Sequence, residues 1–552
     1  MRKSFILLGF CLLSMGLFGQ NTVGLISHDD SKAQPGYNLL YPAGQSNAFL
    51  LDNCGRIVHT WPDTSYLRPG NGIYLLENGN LVKAKRNDFV GNDSIWAPGG
   101  GETIEVRDWD NNRLHFIKIQ DSLARLHHDI RVMPNGNILA IVWEYISGAD
   151  AIQAGRNPAT MSRNRVWPDK IIELTPELDS VVWEWRAWDH LIQDFDSTKD
   201  NYGVVGDHPE LIDFNWDTNN GSPDWMHVNC VDYNPVLDQI IISVPQFHEI
   251  WVIDHSTTTE EATGHTGGNS GMGGDLLFRW GNPQTYRAGT EADQQLFYQH
   301  DIHWIDDGYV NPNNPYWGKL LLFNNRVNDT LSTVNVLTPS YDSTNYSYGM
   351  NMLEGTFLPD TFDATFTYPK PSRTWSTIVS SAQFLSNNNL LVTVGRVGFH
   401  FELTPDNEVV WEYITPMDGV RIADQGDTLG IADNITFRTR RYNLDFPAFA
   451  GKDLSPKGWF EGNPDSTFCG TIVLSNNPEE EIEYTLYPNP VSETLHLEWQ
   501  AQADLEMFDM IGRKVFQMEV KNGRNDIDVS GLKTGVYMIT IDGQFLEKVI
   551  VQ

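Results

Sequence analysis

Three stretches of this chain place an imidazole at the mouth of an apolar, strand-like run: "HHDIRVMPNGN" at 127–137, "HVNCVDYNP" at 227–235 and "QHDIHWIDDG" at 299–308. In each, the histidine (His128, His227 or His300) stands seven positions before a turn residue, Asn135, Asn234 or Asp307. Neutral imidazole is a competent nucleophile near pH 7, and a second imidazole serves as acid for a departing oxygen and then as base for an incoming hydroxyl. Corresponding stretches carry two guanidinium groups, Arg326 in "KLLLFNNR" and Arg396 in "NLLVTVGR", while "SVPQFHEI" supplies Gln246 and His248. Imidazoles and cations gathered on one concave site suit an oxyanion, whose charge they stabilise.

Strands must position these groups. "NGIYLLENGNLV" from Asn71 and "SAQFLSNNNLLV" from Ser381 share the register of the histidine units, with turn residues Asn78 and Asn388. In those two units the registered residue is read as a cap on its strand. Every unit runs on through a second strand toward a third and fourth, and several end in an aromatic edge such as "VVWEW", "LLFRWG" or "VVWEY". Long helical periodicity is nearly absent. Repeated four-strand units are the signature of a β-propeller, whose innermost strands line a central channel. The segment "NAFLLDNCGRIVHTW" (47–61) reads as the outer part of a further blade, closed by a late strand such as "NITFRTRRY" (434–442). The expected fold is all-β, an about six-bladed propeller followed by a small C-terminal β-sandwich.

Shared register sets His128, His227 and His300 apart from His59, His190, His255 and His265, which read as ordinary core or surface histidines. Zinc on the registered trio ranks below anion handling, because no carboxylate recurs at a metal-ligand spacing. No metal and no other cofactor is therefore expected. "AWDHLIQDFD" (187–196) reads as a structural insertion in preference to a lid helix, and the acidic loop "DFNWDTNNGSPD" (213–224) misses the EF-hand spacing.

The totals narrow the class of protein. A chain of 552 residues exceeds one ordinary core. With 72 acidic against 38 basic residues, a formal charge of −34 repels phosphate backbones and argues against a nucleic-acid partner. The first twenty residues, "MRKSFILLGFCLLSMGLFGQ", have the basic start, apolar centre and small residues of a cleaved secretory signal, and no later apolar run is long enough for a transmembrane segment. Cys54, Cys230 and Cys469 then remain, enough for at most one disulfide. The expected order is signal peptide at 1–20, propeller at 21–462, linker at 463–483 with the acidic "NNPEEEIE" (476–483), and sandwich at 484–552.

Two family resemblances add to this reading. The motif YPNP (Tyr487–Pro490), "MIGRKV", "LKTGVYMI" and the final "KVIVQ" resemble the C-terminal sorting domain of the Bacteroidetes type IX secretion system. That resemblance implies passage through the periplasm and across the outer membrane by the type IX machinery, to the cell surface or the medium. The pieces "HHDIRVMPNGNIL", "DWMHVNCVDYNP…IIISV", "QHDIHWIDDG…LLLFNNR" and "VGRVGFHFELTPDNEVVWEY", spread over 45–415, resemble the bacterial phosphoadenosine-independent arylsulfotransferases. Those are six-bladed propellers with a histidine-lined central site, which move a sulfuryl group from an aryl sulfate to a phenol in a ping-pong cycle. The resemblance implies His300 as the nucleophile that becomes sulfohistidine. It implies His128, with His127 beside it, as the group that polarises sulfate oxygens or protonates the leaving phenolate. His227 and Asn229 match the pair that holds the sulfuryl oxygens. Asp301 is placed to orient an imidazole, as carboxylates do in triads. One family arginine is missing where Pro245, Gln246 and His248 stand, and Arg326 or Arg396 is expected to replace it from a neighbouring blade. The expected partners are a small aryl sulfate, a phenol and the secretion machinery. The alternative function is a non-enzymatic surface propeller that binds an anionic or sulfated ligand, which the missing arginine favours.

Overall fold

The computed structural model describes residues 21–64, 67–86, 95–306, 310–466, 469, 484–500, 502–509, 513–541 and 544–552. The expected signal peptide, the acidic segment 476–483, the turn residue Asp307 and the first three residues of "MIGRKV" lie outside the described residues. The chain divides into two compact units, 1–476 and 477–552.

Six antiparallel sheets of four or five strands make up the first unit, joined by short two-stranded ribbons. Four of them begin with the strands Arg68–Leu75, Ala124–Val132, Cys230–Asn234 and His300–Trp304, and each adds three later strands in chain order, with ribbon strands intervening in the second and fourth. The fifth runs from Ser381–Phe384 out to Val409–Ile414, where Gly24–His28 joins as an extra edge strand that the repeat pattern did not signal. The sixth combines Tyr37–Leu40, Ala48–Asp52 and Ile57–Trp61 with Thr439–Tyr442, so that Tyr37 lies opposite Tyr442 and Leu40 opposite Thr439. Residues nearly 400 apart in sequence thus share one sheet, and the late segment singled out at 434–442 supplies the joining strand.

These segments become strands because β-branched and aromatic side chains pack well on a pleated surface, and here many are buried on both faces. The strand Gln239–Val244 ("QIIISV") is buried throughout. Neighbouring sheets stack through such residues: Ile141 and Ile171 with Val231 and Ile242, then Ile241 and Val252 with Ile302 and Leu322. Each such side chain contributes roughly 1.5–3 kcal/mol on burial. First strands also touch in sequence, Arg68–Leu75 against Ala124–Val132, that strand against Cys230–Asn234, Cys230–Asn234 against His300–Trp304, and His300–Trp304 against Ser381–Phe384. Their starting ends therefore converge.

Beneath that convergence one buried guanidinium joins several sheets. Arg438 donates to Asp129 Oδ1 and Oδ2 at 3.1 and 2.8 Å, to Asp301 Oδ1 at 2.6 Å and to the Tyr74 hydroxyl at 3.2 Å. Cys54 and Cys469 form a disulfide with Cα atoms 5.7 Å apart, across 415 residues of sequence, which leaves Cys230 as a buried free thiol. The segment 187–196 forms a 3-10 turn at Ala187–His190 and the short strand Leu191–Ile192.

The second unit has a three-stranded sheet (Thr485–Tyr487, Thr494–Trp499, Gly523–Asp528) and a four-stranded one (Ala503–Asp509, Lys514–Val520, Gly535–Ile541, Gln544–Val551). Alternate residues Leu495, Leu497 and Trp499 point inward and meet Leu505, Met507, Ile527 and Ile539, the packing of a small β-sandwich.

Candidate functional site

The histidines reach their site through strained backbone. His128, His227 and Asp301 adopt left-handed φ values of 43, 58 and 57°. Such a conformation costs a non-glycine residue roughly 1–3 kcal/mol, so the surrounding packing must enforce it. Two of these kinks coincide with register shifts. In one, His128 and Asp129 stand between the pairs His127–Ile141 and Ile130–Ala140; in the other, Asp301 lies between His300–Phe323 and His303–Leu321. The resulting bulges re-aim side chains that a regular strand would alternate between its two faces.

A cavity of about 620 Å³ is lined by His128, His227 and His300 together with Arg86, Trp96, Gly99, Arg163, Asp224, Gln246, Tyr298 and Val379. The Nε2 atoms of His128 and His227 lie 3.1 Å apart, and the His128 and His300 ring centres 6.4 Å apart. His227 Nδ1–H donates to Asp224 Oδ2 at 2.6 Å. Behind them, fully buried His127 stacks on Trp143 at 3.5 Å and donates from Nδ1 to Asp169 Oδ1 at 3.0 Å. Gly99, at φ +88°, is required beside His128, because a Cβ there would stand 2.3 Å from His128 Nε2.

The tautomer of His300 follows from its neighbours. Asn325 Nδ2 donates to the carbonyls of Ser376 and Val379 at 2.9 and 2.8 Å, which turns Oδ1 toward His300 Nδ1 at 2.8 Å. Nδ1 therefore carries the proton, and the lone pair sits on Nε2. That lone pair accepts the Val379 N–H at 3.1 Å, from a residue itself held at φ 51°.

Burial pushes the His300 imidazole down to about 3; Asn325 opposes this, while His227 and Arg326 add to it. His127 and His128 are held well below the usual histidine range, first by burial and then by each other's neighbouring imidazoles. His248 is lowered to about 4 by burial and by Arg326. His127, His128 and His300 are thus neutral at pH 7, as nucleophiles and ligands must be.

Other residues singled out in the sequence sit elsewhere. Asn229 is fully buried and gives its amide N–H to the Gln299 carbonyl at 2.8 Å, so it is turned into the wall. Asp301 serves Arg438 and the Ala382 N–H, and its nearest imidazole contact is His303 at 3.8 Å. Here the buried guanidinium outcompetes an imidazole for the carboxylate. Arg326 stacks on the Tyr298 ring at 3.6 Å and donates to the Thr377 carbonyl, one layer outside the cavity. Arg396 donates to Thr377 Oγ1 at 2.5 Å and lines a neighbouring cavity of about 520 Å³ with Trp375 and Phe399. Gln246 does line the histidine cavity, with Oε1 3.2 Å from Thr218 Oγ1. In the acidic loop, Asp217 accepts from the N–H groups of Asn219 and Gly221, and Asp213 pairs with Arg287 at 2.8 Å.

Sequence reasoning missed the guanidinium groups that line the cavity, Arg86 and Arg163. Arg86 had a signal: it stands eight positions after the turn residue Asn78, as Arg396 does after Asn388. Arg163 lies on a loop outside the repeat register and had none.

Fold and site together define a largely β-stranded protein with a histidine-lined cavity that two arginines border. The profile of the family described as arylsulfotransferase (ASST) matches residues 22–421, and that of the secretion system C-terminal sorting domain matches 485–552. The chain belongs to the arylsulfotransferase family and carries a type IX sorting domain, which marks it for export to the cell surface or for secretion. Among the described residues no helix is long and apolar enough to cross a membrane. No curated protein matches the chain. Among solved structures, a protein of unknown function from Bacteroides caccae is similar at 10% identity over 74% of this chain and 98% of that one, with a TM-score of 0.39. A streptogramin B lyase is similar at 12% identity over 77% and 96%, with a TM-score of 0.34. Likenesses this remote carry no argument about function.

Proposed function

We propose that the six sheets of the first unit are the blades of a propeller and that its histidine cavity transfers a sulfuryl group from an aryl sulfate to a phenol. The observation that carries this reading is the fixed tautomer of His300. Asn325 holds its Nδ1–H, so the lone pair of a neutral imidazole stands on Nε2, in the wall shared with His128 and His227.

In the first half of the cycle Nε2 attacks sulfur. The N–S bond forms as the S–O bond to the aryl group breaks, and the aryl oxygen leaves as phenolate, hydrogen-bonded by the His128–His227 pair. Positive charge on the sulfurylated ring is stabilised through Nδ1–H and Asn325 Oδ1. In the second half an acceptor hydroxyl hands its proton to that pair, which releases it to solvent. Its oxygen attacks the same sulfur, the N–S bond breaks, and Nε2 recovers its lone pair. Such transfer rests on positioning and charge stabilisation, as phosphoryl transfer does, and Arg86 and Arg163 are the cations nearest to hand.

A specific contact favours a second reading, a ligand-binding propeller without turnover. The Val379 N–H occupies His300 Nε2, so attack requires the 376–380 segment to yield. The test is release of 4-nitrophenol from its sulfate ester with a phenol present. Without acceptor, the His300 peptide should gain the mass of one SO3. Absence of release across several donors moves the weight to ligand binding, and near-normal turnover by His300→Ala removes the nucleophile assignment.

A further inference from the structure

Three imidazoles at the back of the cavity are arranged for more than anion contact. His127, His128 and His227 each offer a ring nitrogen, and the three nitrogens lie within 4.8 Å of one another. Ring centres form a nearly equilateral triangle of 4.6, 4.9 and 4.8 Å. All three residues are buried.

Orientation is imposed from outside the triangle. Asp169 takes the Nδ1–H of His127 and Asp224 that of His227, which leaves the lone pair of both rings on Nε2. Carboxylate–histidine pairs of this kind orient metal-ligating imidazoles and raise their basicity. Asp169 is itself fixed by the Val228 N–H at 3.0 Å, and Trp143 fixes the plane of His127. His127 Nε2 is fully buried and has no hydrogen-bond partner among the described residues. An orphaned polar atom on a ring held this firmly calls for an occupant. The Nε2 atoms of His128 and His227 are already 3.1 Å apart, against an edge of roughly 3.3 Å for two nitrogens on one tetrahedral zinc at Zn–N of about 2.0–2.1 Å.

We propose that His127, His128 and His227 bind one Zn2+ or similar divalent transition-metal ion, with Asp169 and Asp224 as the carboxylates that orient its ligands. Because His128 and His227 line the cavity, the open coordination position faces it, the arrangement of a reactive and not a closed structural centre. The ion would bring positive charge to a pocket where Gln246 stands in place of a cation. This site rests on imidazole geometry and not on sulfuryl transfer; an ion there takes the Nε2 lone pairs that the proposed cycle gives to proton handling by His128 and His227, so the two occupations of the pair exclude one another, and a titration without sulfate ester reads the metal site by itself.

The test uses full-length protein freed of metal by dialysis and titrated with Zn2+ by calorimetry, with metal counted per chain, in the absence of any sulfate ester. One ion per chain is expected. His127→Gln should weaken binding at least ~100-fold, and Asp169→Asn roughly 10–100-fold. His265→Gln, which alters the separate His190–His265–Asp275 cluster, should leave it unchanged. Co2+ added to the wild-type protein should give the visible absorption of a four- or five-coordinate nitrogen-ligated centre, a readout that needs no variant to fold. No stoichiometric binding, an octahedral Co2+ spectrum, or loss of the ion in His265→Gln but not in His127→Gln overturns the proposal.

Discussion

Asn325 and His300, 25 residues apart on adjacent strands, form a 2.8 Å hydrogen bond in which the direction is fixed, because the amide N–H groups of Asn325 are committed to two backbone carbonyls. Asn325 thereby decides which nitrogen of His300 carries the lone pair, which makes it a positioning residue in the proposed sulfuryl transfer.

Replacing that amide tests its role. Asn325→Ala frees Nδ1 and admits the wrong tautomer, so kcat should fall roughly 100-fold or more with KM little changed. Asn325→Asp keeps the shape and adds negative charge, which raises the His300 pKa from about 3. The acid limb of kcat/KM should then move to higher pH. A limb that stays in place in the Asp variant would sink the assignment.

His300 also leaves a signature in stability. Its imidazole titrates near 6.5 when unfolded but only near 3 in the fold. Between those values the unfolded chain binds one more proton, so this residue's contribution to stability falls as pH falls, by up to ~1.4 kcal/mol per pH unit. The unfolding free energy of His300→Gln, followed by urea denaturation from pH 6.5 to 4, should fall less steeply than that of the wild type. Parallel slopes would mean that His300 is not buried and neutral.

Arg438 should prove structural. It is buried against Asp129 and Asp301, and Arg438→Met strands both carboxylates without a cation. Breaking such a cluster costs about 3–5 kcal/mol. The denaturation midpoint should drop accordingly, and adding Asp129→Asn should recover part of the loss. An unchanged midpoint in the single variant would contradict this.

Loss of the Cys54–Cys469 bridge should be felt across the whole first unit, since it closes a loop of 415 residues. The loop-entropy account gives at least ~4 kcal/mol. Cys54→Ser should lower the thermal midpoint, and reductant should affect the wild type but not the variant. Equal midpoints would rule out the bridge as a stabilising link.

Much of the architecture was written locally. Alternating apolar runs, Asn-rich turns and a recurring polar position marked five first strands and put His128 and His300 on two of them and His227 three residues before a third, because strand period and turn chemistry act over a few residues. The late segment at 434–442 was legible as a joining strand for the same reason, and the sorting domain announced itself through its motifs. The partners of each histidine depend instead on which sheets become neighbours. Asp169 and Asn325 lie 42 and 25 residues from the rings they hold, on other strands, and nothing in the spacing ties them together; Asp224, three residues before His227, is the local exception. Asp301 was expected to orient an imidazole as carboxylates do in triads, and the buried Arg438 guanidinium takes its carboxylate instead. Arg326 and Arg396 were assigned from register and Asn229 from its match to a family motif, yet both set only the position of a residue along the chain. Packing between sheets decided that Asn229 turns to Gln299, that Arg326 stacks on Tyr298, and that Arg86 reaches the cavity. The sequence alone determined which groups are available and on which strands; tertiary packing decided which of them meet, because those contacts join residues tens to hundreds of positions apart, through burial that no local pattern encodes.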